Sequence, residues 1–287
     1  MPTRSTQHSQ RRVCFAGAFL ALVFLHCGSE RIVYRHASLS GEIVVTESPG
    51  PVRTLRFGEH GAVQSQVFVG RPRELRVPYT ATAVAALGAV DAPQRLLVVG
   101  LGGGSIPAFL HVALPDADID VVEIDPAVVE VAQAWFGVRP DERLRVHTAD
   151  GRDFIEAAPT RYDAVFLDAY GAHAVPPALS TLEFLEAVRA ALAADGAVIA
   201  NLWSDASDNL YPSMLATYRA VFPEVFVLPV ARRTNRIVLA LPASADADLA
   251  RRLEDFAKAH GLAKALAGGL ERFEGKTASA QILRDPE

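Results

Sequence analysis

Two spacings of apolar residues divide the chain. Between Arg31 and Val77 short stretches alternate apolar with polar positions: residues 42–47 are rich in β-branched side chains, 52–57 alternate, and 62–69 resume the alternation. Ser48-Pro49-Gly50-Pro51 and Glu59-His60-Gly61 separate these stretches, so this part predicts a small antiparallel β region. A helix is predicted over 79–87. From Leu96 the pattern changes: 96–99 is a continuous apolar block, and 119–123, 144–147, 162–168 and 197–201 read as further strands, with 225–228 and 237–240 available to close a sheet. Helical spacing fills the gaps, at 106–112, from Pro126 onward and at 182–193. A further helix over 246–260 puts Leu249, Leu253 and Phe256 on one face, a stripe best read as core packing. Apolar strands alternating with helices predict an α/β fold built on a doubly wound, mostly parallel sheet.

Composition narrows the classes. Half of the 287 residues are hydrophobic and 21% are charged, which allows a sizeable core. The formal net charge is −5, the wrong sign for a protein that binds nucleic acid by neutralising phosphates. Both cysteines, Cys14 and Cys27, precede Gly28, so the main domain has no thiol for a disulfide, a zinc ligand or a nucleophile. No histidine pair has metal-ligand spacing, and no metal is expected. Arg4, Arg11 and Arg12 precede an apolar run from Val13 to Leu25, which is short for a membrane span and fits an export signal, an anchor or a loose extension. The segments read as an extension over 1–29, a β region over 30–78 and a nucleoside-binding catalytic domain over 79–287.

The candidate chemistry sits at successive strand ends. Gly100, Gly102, Gly103 and Gly104 follow the first parallel strand, where a glycine turn lets backbone approach a ligand. Ser105 breaks strict G-x-G-x-x-G spacing, and alone the turn is a weak signal. Glu123 ends the next strand about twenty residues on, where an acid can accept both ribose hydroxyls. Asp150-Gly151 follows the third strand; the carboxylate can accept from an adenine amino group while the glycine lets the base lie close. Asp168 ends the fourth strand and faces the crevice at the strand carboxyl ends. Each acid alone is as well explained by a solvated loop or a helix cap; the combination points to a nucleoside enzyme.

With these residues in view, the chain resembles the spermidine synthase (polyamine aminopropyltransferase) family. The resemblance lies in Leu96-Leu97-Val98-Val99-Gly100-Leu101-Gly102-Gly103-Gly104, Val122-Glu123-Ile124-Asp125-Pro126, Ala149-Asp150-Gly151-Arg152-Asp153-Phe154, Tyr162-Asp163-Ala164-Val165-Phe166-Leu167-Asp168 and the turn Ala194-Asp195-Gly196. It extends more loosely to Gly61-Ala62-Val63-Gln64 and Ile282-Leu283-Arg284-Asp285-Pro286. It implies a Rossmann-like domain of the nucleoside-dependent methyltransferase type behind a small antiparallel β region. It also implies decarboxylated S-adenosylmethionine as donor, with Glu123 on the ribose, Asp150 and Gly151 at the adenine edge, and Asp168 at the reacting amine. Gln64, Tyr79 and Tyr170 would face the ligands, and 170–180, with Pro176 and Pro177, would close over them.

Two departures bear on the acceptor. The family usually carries an acid where this chain has Gly103 and another where it has Gly171, and those acids hold the substrate's ammonium groups. Asp205 and Asp208 could substitute, though capping and turns explain them as well. The readings are therefore an aminopropyl transferase, an S-adenosylmethionine-dependent methyltransferase on the same fold, or a non-catalytic nucleoside-binding protein. A methyl donor's carboxylate wants a positive neighbour, and none is evident along the sequence. The expected partner is a small amine or other small acceptor, not nucleic acid; a homodimer stays open. Because such donors are kept inside cells, the cytoplasm is the expected compartment, with export or anchoring left open by residues 1–29.

Overall fold

The computed structural model describes residues 30–71, 73–159, 161–170, 175–204, 210–231, 233–245, 247–275 and 280–286. The apolar segment over 13–25, and with it the question of export or anchoring, lies outside the described residues, as do Gly171, Asp205 and Asp208. Among the described residues no helix is long and apolar enough to cross a membrane.

The first part is a four-stranded antiparallel sheet of β1 (Arg31–Ser38), β2 (Gly41–Ser48), β3 (Val52–Phe57) and β4 (Val63–Phe68), paired in that order. Strand β1 is an edge strand with no fully buried position, so it shows no apolar alternation and its limits could not be read from the pattern.

The second part is an eight-stranded sheet. Its parallel strands are β5 (Arg95–Val99), β6 (Asp118–Glu123), β7 (Leu144–Thr148), β8 (Tyr162–Leu167) and β9 (Leu192–Trp203). Strands β10 (Glu224–Pro229), β11 (Asn235–Leu241) and β12 (Glu271–Arg272) complete it by antiparallel pairing, in the order β12-β10-β11-β9-β8-β5-β6-β7. The chain leaves β5 toward β6 on one side and returns as β8 on the other. Strand order thus reverses between β5 and β8, which opens a crevice at their carboxyl ends.

Burial on both faces explains the continuous apolar strands. Leu96 and Val98 face a layer containing α1 (Pro78–Ala86), α2 (Ser105–Ala113) and α7 (Leu249–Ala259), whose Val84, Leu110, Leu249 and Leu253 are buried there. Leu97 and Val99 face the opposite layer, with α4 (Gly151–Glu156), α5 (Leu182–Ala190) and α6 (Tyr211–Val221). Truncating a fully buried strand leucine such as Leu97 to alanine costs about 2–5 kcal/mol by loss of burial and the cavity left behind. Helix α3 (Pro126–Trp135) joins the two parts: Val128 and Val131 pack on Ile43, Val45 and Leu55 of the small sheet. Its cap Asp125, 1% exposed, accepts from Ala127 N at 3.0 Å and from Ser40 N in the β1–β2 turn at 2.9 Å.

One boundary differs from expectation. The helix predicted over 182–193 stops at Ala190, and the expected turn at Ala194-Asp195-Gly196 lies within the span of β9. Leu192 already pairs with Tyr162, and the next register pair is Ala164 with Ala197, so residues 193–196 bulge against a single partner residue. Gly196 is required there because a Cβ would lie 2.9 Å from Asp163 O. Farther on, residues 280–286 run back along the α4–α6 layer. Leu182 N donates to Leu283 O, Leu283 N donates to Thr217 Oγ1, and Arg152 grips Asp285 with both terminal nitrogens, at 2.7 and 2.5 Å.

Candidate active site

The crevice widens into a cavity of about 1190 Å³, bounded by the strand carboxyl ends on one side and by β4 and the segment entering α1 on the other. Gln64, Tyr79, Gly100, Gly102, Gly103, Glu123, Asp150, Gly151, Asp168 and Tyr170 all line it.

The end nearest β5 and β6 is built from backbone and two carboxylates. Gly100 has φ of +96°, and a Cβ there would lie 2.6 Å from Asp168 O; only glycine allows the ends of β5 and β8 to touch. The turn delivers the Leu101 N–H to Glu123 Oε2 at 2.9 Å, while Glu123 Oε1 accepts from Asp125 N at 3.0 Å. The Gly102 N–H also faces this carboxylate, which keeps acceptor capacity for a ligand hydroxyl. Burial raises the Glu123 carboxyl above its ordinary value, opposed by the N–H groups of Leu101 and Asp125. Asp150 caps α4 through Oδ1, accepting from Arg152 N at 2.7 Å and Asp153 N at 3.2 Å. At Gly151 a Cβ would lie 2.6 Å from Val99 Cγ1, so this glycine also sets the approach of α4 to the sheet.

Gly103 does not aim into open space. A Cβ there would lie 2.4 Å from Ser65 Oγ, 2.6 Å from Ser65 Cβ and 3.0 Å from Phe136 Cδ1. Ser65, in β4, is hydrogen-bonded to Ser105 at 3.2 Å. The glycine loop is therefore packed directly against the small sheet, and any side chain at Gly103 would have to displace it.

At the other end Asp168 is held from both sides. Tyr79 OH donates to Oδ2 at 2.9 Å, and Asn201 Nδ2 donates to Oδ1 at 3.0 Å. Asn235 Nδ2 in turn donates to Asn201 Oδ1 at 2.9 Å. Burial outweighs these donors and lifts the Asp168 carboxyl to about 6. Burial, and next the charge of Asp168, raise the Tyr79 phenol well above its usual range, so it remains a donor. Tyr170 stacks on Trp203, centroids 4.9 Å apart, and donates from its OH to Asn201 O at 2.6 Å.

Asn201, Asn235 and Trp203 were not singled out from sequence. Asn201 is a polar residue closing an apolar strand, a usable signal; Asn235 acts only through the β9–β11 register that sets it opposite Trp203. The expected lack of a positive neighbour is corrected: Arg76 and Arg233 both line the cavity, from loops that no strand or helix pattern marks.

The chain is similar to known transferases. A polyamine aminopropyltransferase of Vibrio vulnificus is 34% identical over 221 residues, covering 75% of this chain and 73% of that protein. An eEF1A lysine and N-terminal methyltransferase of Mus musculus is 40% identical over 159 residues, covering 52% of this chain but only 23% of the mouse protein. The structure of human methyltransferase-like protein 13 in complex with SAH superposes with a TM-score of 0.58 at 34% identity, over 67% of this chain and 93% of that one. The family model for the spermine/spermidine synthase domain matches residues 80–230, and the chain belongs to that family of transferases.

Proposed function

We propose that the protein transfers an aminopropyl group from decarboxylated S-adenosylmethionine to an amine. The observation that carries this reading is the placement of Asp168, at a pKa of about 6 between two donors, at the opposite end of the cavity from Glu123. On this reading the donor's ribose hydroxyls bind Glu123 and its adenine lies by Asp150 and Gly151. The neutral acceptor nitrogen attacks the carbon beside the sulfonium; the C–S bond breaks, its electron pair stays on sulfur, and methylthioadenosine leaves. The new ammonium gives up a proton to Asp168. A carboxylate near 6 is a better base at neutral pH than an exposed aspartate near 3.9. Tyr79 and Asn201 fix its orientation, so the lone pair and the acceptor meet in line. The donor's intracellular origin favours the cytoplasm as the working compartment.

A second reading, methyl transfer from S-adenosylmethionine, is favoured by one observation: Arg76 and Arg233 could meet the carboxylate that the decarboxylated donor lacks. The likeness to the mouse lysine and N-terminal methyltransferase, whose acceptors are also amines, supports the same alternative. Incubating the purified chain with each donor and an amine panel, with mass detection of product and of methylthioadenosine or S-adenosylhomocysteine, separates the two. Methylthioadenosine release that depends on amine supports aminopropyl transfer; its absence alongside methylated product rejects it.

A further inference from the structure

The charges on the described lining of the cavity do not suit a polyamine. Among its described lining residues the acids are Glu123, Asp150 and Asp168. The first two are engaged by backbone donors at the nucleoside end, which leaves Asp168 as the one carboxylate among the described lining residues for an amine. The glycine loop offers no place for another, because the Cβ direction of Gly103 is filled by Ser65 and Phe136. What accompanies Asp168 instead is cationic or neutral. Arg76 lies three residues before Tyr79, on the extended segment entering α1, and Arg233 lies two residues before Asn235. Tyr79, which holds Asp168, and Asn235, which holds Asn201 in turn, thus each come with an arginine on the same stretch of backbone.

Neither guanidinium is paired with a carboxylate among the described residues. Arg76 is exposed and lies over the Phe68 ring, 4.6 Å from its centroid, a ring it shares with Arg71 at 4.4 Å. Arg233 is carried by a pinned turn: Ser204 N and Oγ both donate to Thr234 O, at 3.0 and 2.9 Å, and Arg236 Nη1 donates to Arg233 O at 2.9 Å. Guanidinium forks are suited to bidentate binding of a carboxylate.

We infer that Arg76 and Arg233 form a carboxylate-recognition element at the Asp168 end of the cavity, so that the ligand presenting an amine there carries an anionic group and not a second ammonium. Resting on the proposed aminopropyl transfer, the acceptor is an amino acid or ω-amino acid that presents its neutral amine to Asp168 and its carboxylate to the arginines. The same group could instead belong to the amino-acid end of an undecarboxylated donor, and the experiment separates the two sources.

The experiment pairs turnover with calorimetry on wild type, Arg76→Gln and Arg233→Gln. Amines of matched length are offered as diamine, monoamine and amino acid with the decarboxylated donor; methylthioadenosine and S-adenosylhomocysteine are titrated separately. The expected result is transfer to the amino acid in preference to the diamine. Each substitution should raise its KM by about tenfold, with methylthioadenosine affinity unchanged. Preferred transfer to the diamine, insensitive to both substitutions, overturns the inference while leaving aminopropyl transfer standing. No transfer to any amine, together with S-adenosylhomocysteine binding weakened about tenfold by the substitutions, rejects aminopropyl transfer and assigns the carboxylate to the donor. No transfer and no effect of either substitution on any ligand overturns both.

Discussion

The two ends of the cavity are made differently. The end proposed for the nucleoside relies on main chain: a turn that only glycine permits and backbone N–H groups on Glu123 and Asp150. The end proposed for the amine relies on side chains, Tyr79, Asn201 and Asn235 around one raised carboxylate. A backbone-built end is fixed once the sheet forms and suits an invariant ligand part. A side-chain-built end can be rewritten residue by residue, so one scaffold can serve different acceptors.

Replacing Asp168 should separate the ends most sharply. Asp168→Asn is expected to lower turnover by about 10²–10⁴-fold, with methylthioadenosine affinity changed less than about threefold by calorimetry. Wild-type turnover per free enzyme should rise with pH through about 6, as the base ionises. Stability should move the other way. The folded-state pKa lies above the ordinary 3.8, so the native state holds the extra proton between those values and loses stability as pH rises from about 4 to 6. Asp168→Asn removes that loss, and denaturant melts should show it more stable than wild type at pH 8 by up to about 3 kcal/mol, with the difference gone below pH 4.

A smaller effect tests whether the glycine loop could have been rewritten too. Gly103→Asp should destabilise by about 1–3 kcal/mol, read as a lowered Tm, because the new Cβ meets Ser65. A variant of unchanged Tm that gained diamine turnover would erase the contrast between the two ends. Glu123→Gln should weaken methylthioadenosine binding by about tenfold, since a charge-assisted pair becomes neutral. Smallest is Asn235→Ala. Freeing Asn201 weakens its bond to Asp168, so the midpoint of the pH–rate profile should rise by a fraction of a unit and kcat fall by about threefold.

The nucleoside end was legible in sequence for the same reason it is rigid. Gly100 and Glu123 end strands at the centre of the sheet, which stand out by their apolar residues, while Asp150 follows the edge strand β7 and was placed by the Asp-Gly pair after it. Asp168 was found by the same rule. Strand β1 was not delimited because its side chains are mostly solvated, and α5 was drawn three residues too long because Ala191-Leu192-Ala193 suit a helix locally while Leu192 is claimed by pairing with Tyr162. The amine end was read only in part: Tyr79 and Tyr170 came from family resemblance, whereas Asn235, Arg76 and Arg233 reach the site through cross-strand register or irregular loops, which no local period encodes.

The grip of Arg152 on Asp285 closes a loop of 133 residues, starting two positions after the cap Asp150. Contacts so distant along the chain are the slow ones to form. During synthesis the sheet and the glycine turn can assemble while α4 still lacks this staple, which arrives only when residue 285 clears the ribosome. Newly made chains would pass through an interval in which the sheet is formed and α4 is not yet stapled by Asp285. A fusion joined directly after residue 286 would prolong that interval by crowding the staple, making the attachment point of a purification tag a variable in any measurement of donor affinity.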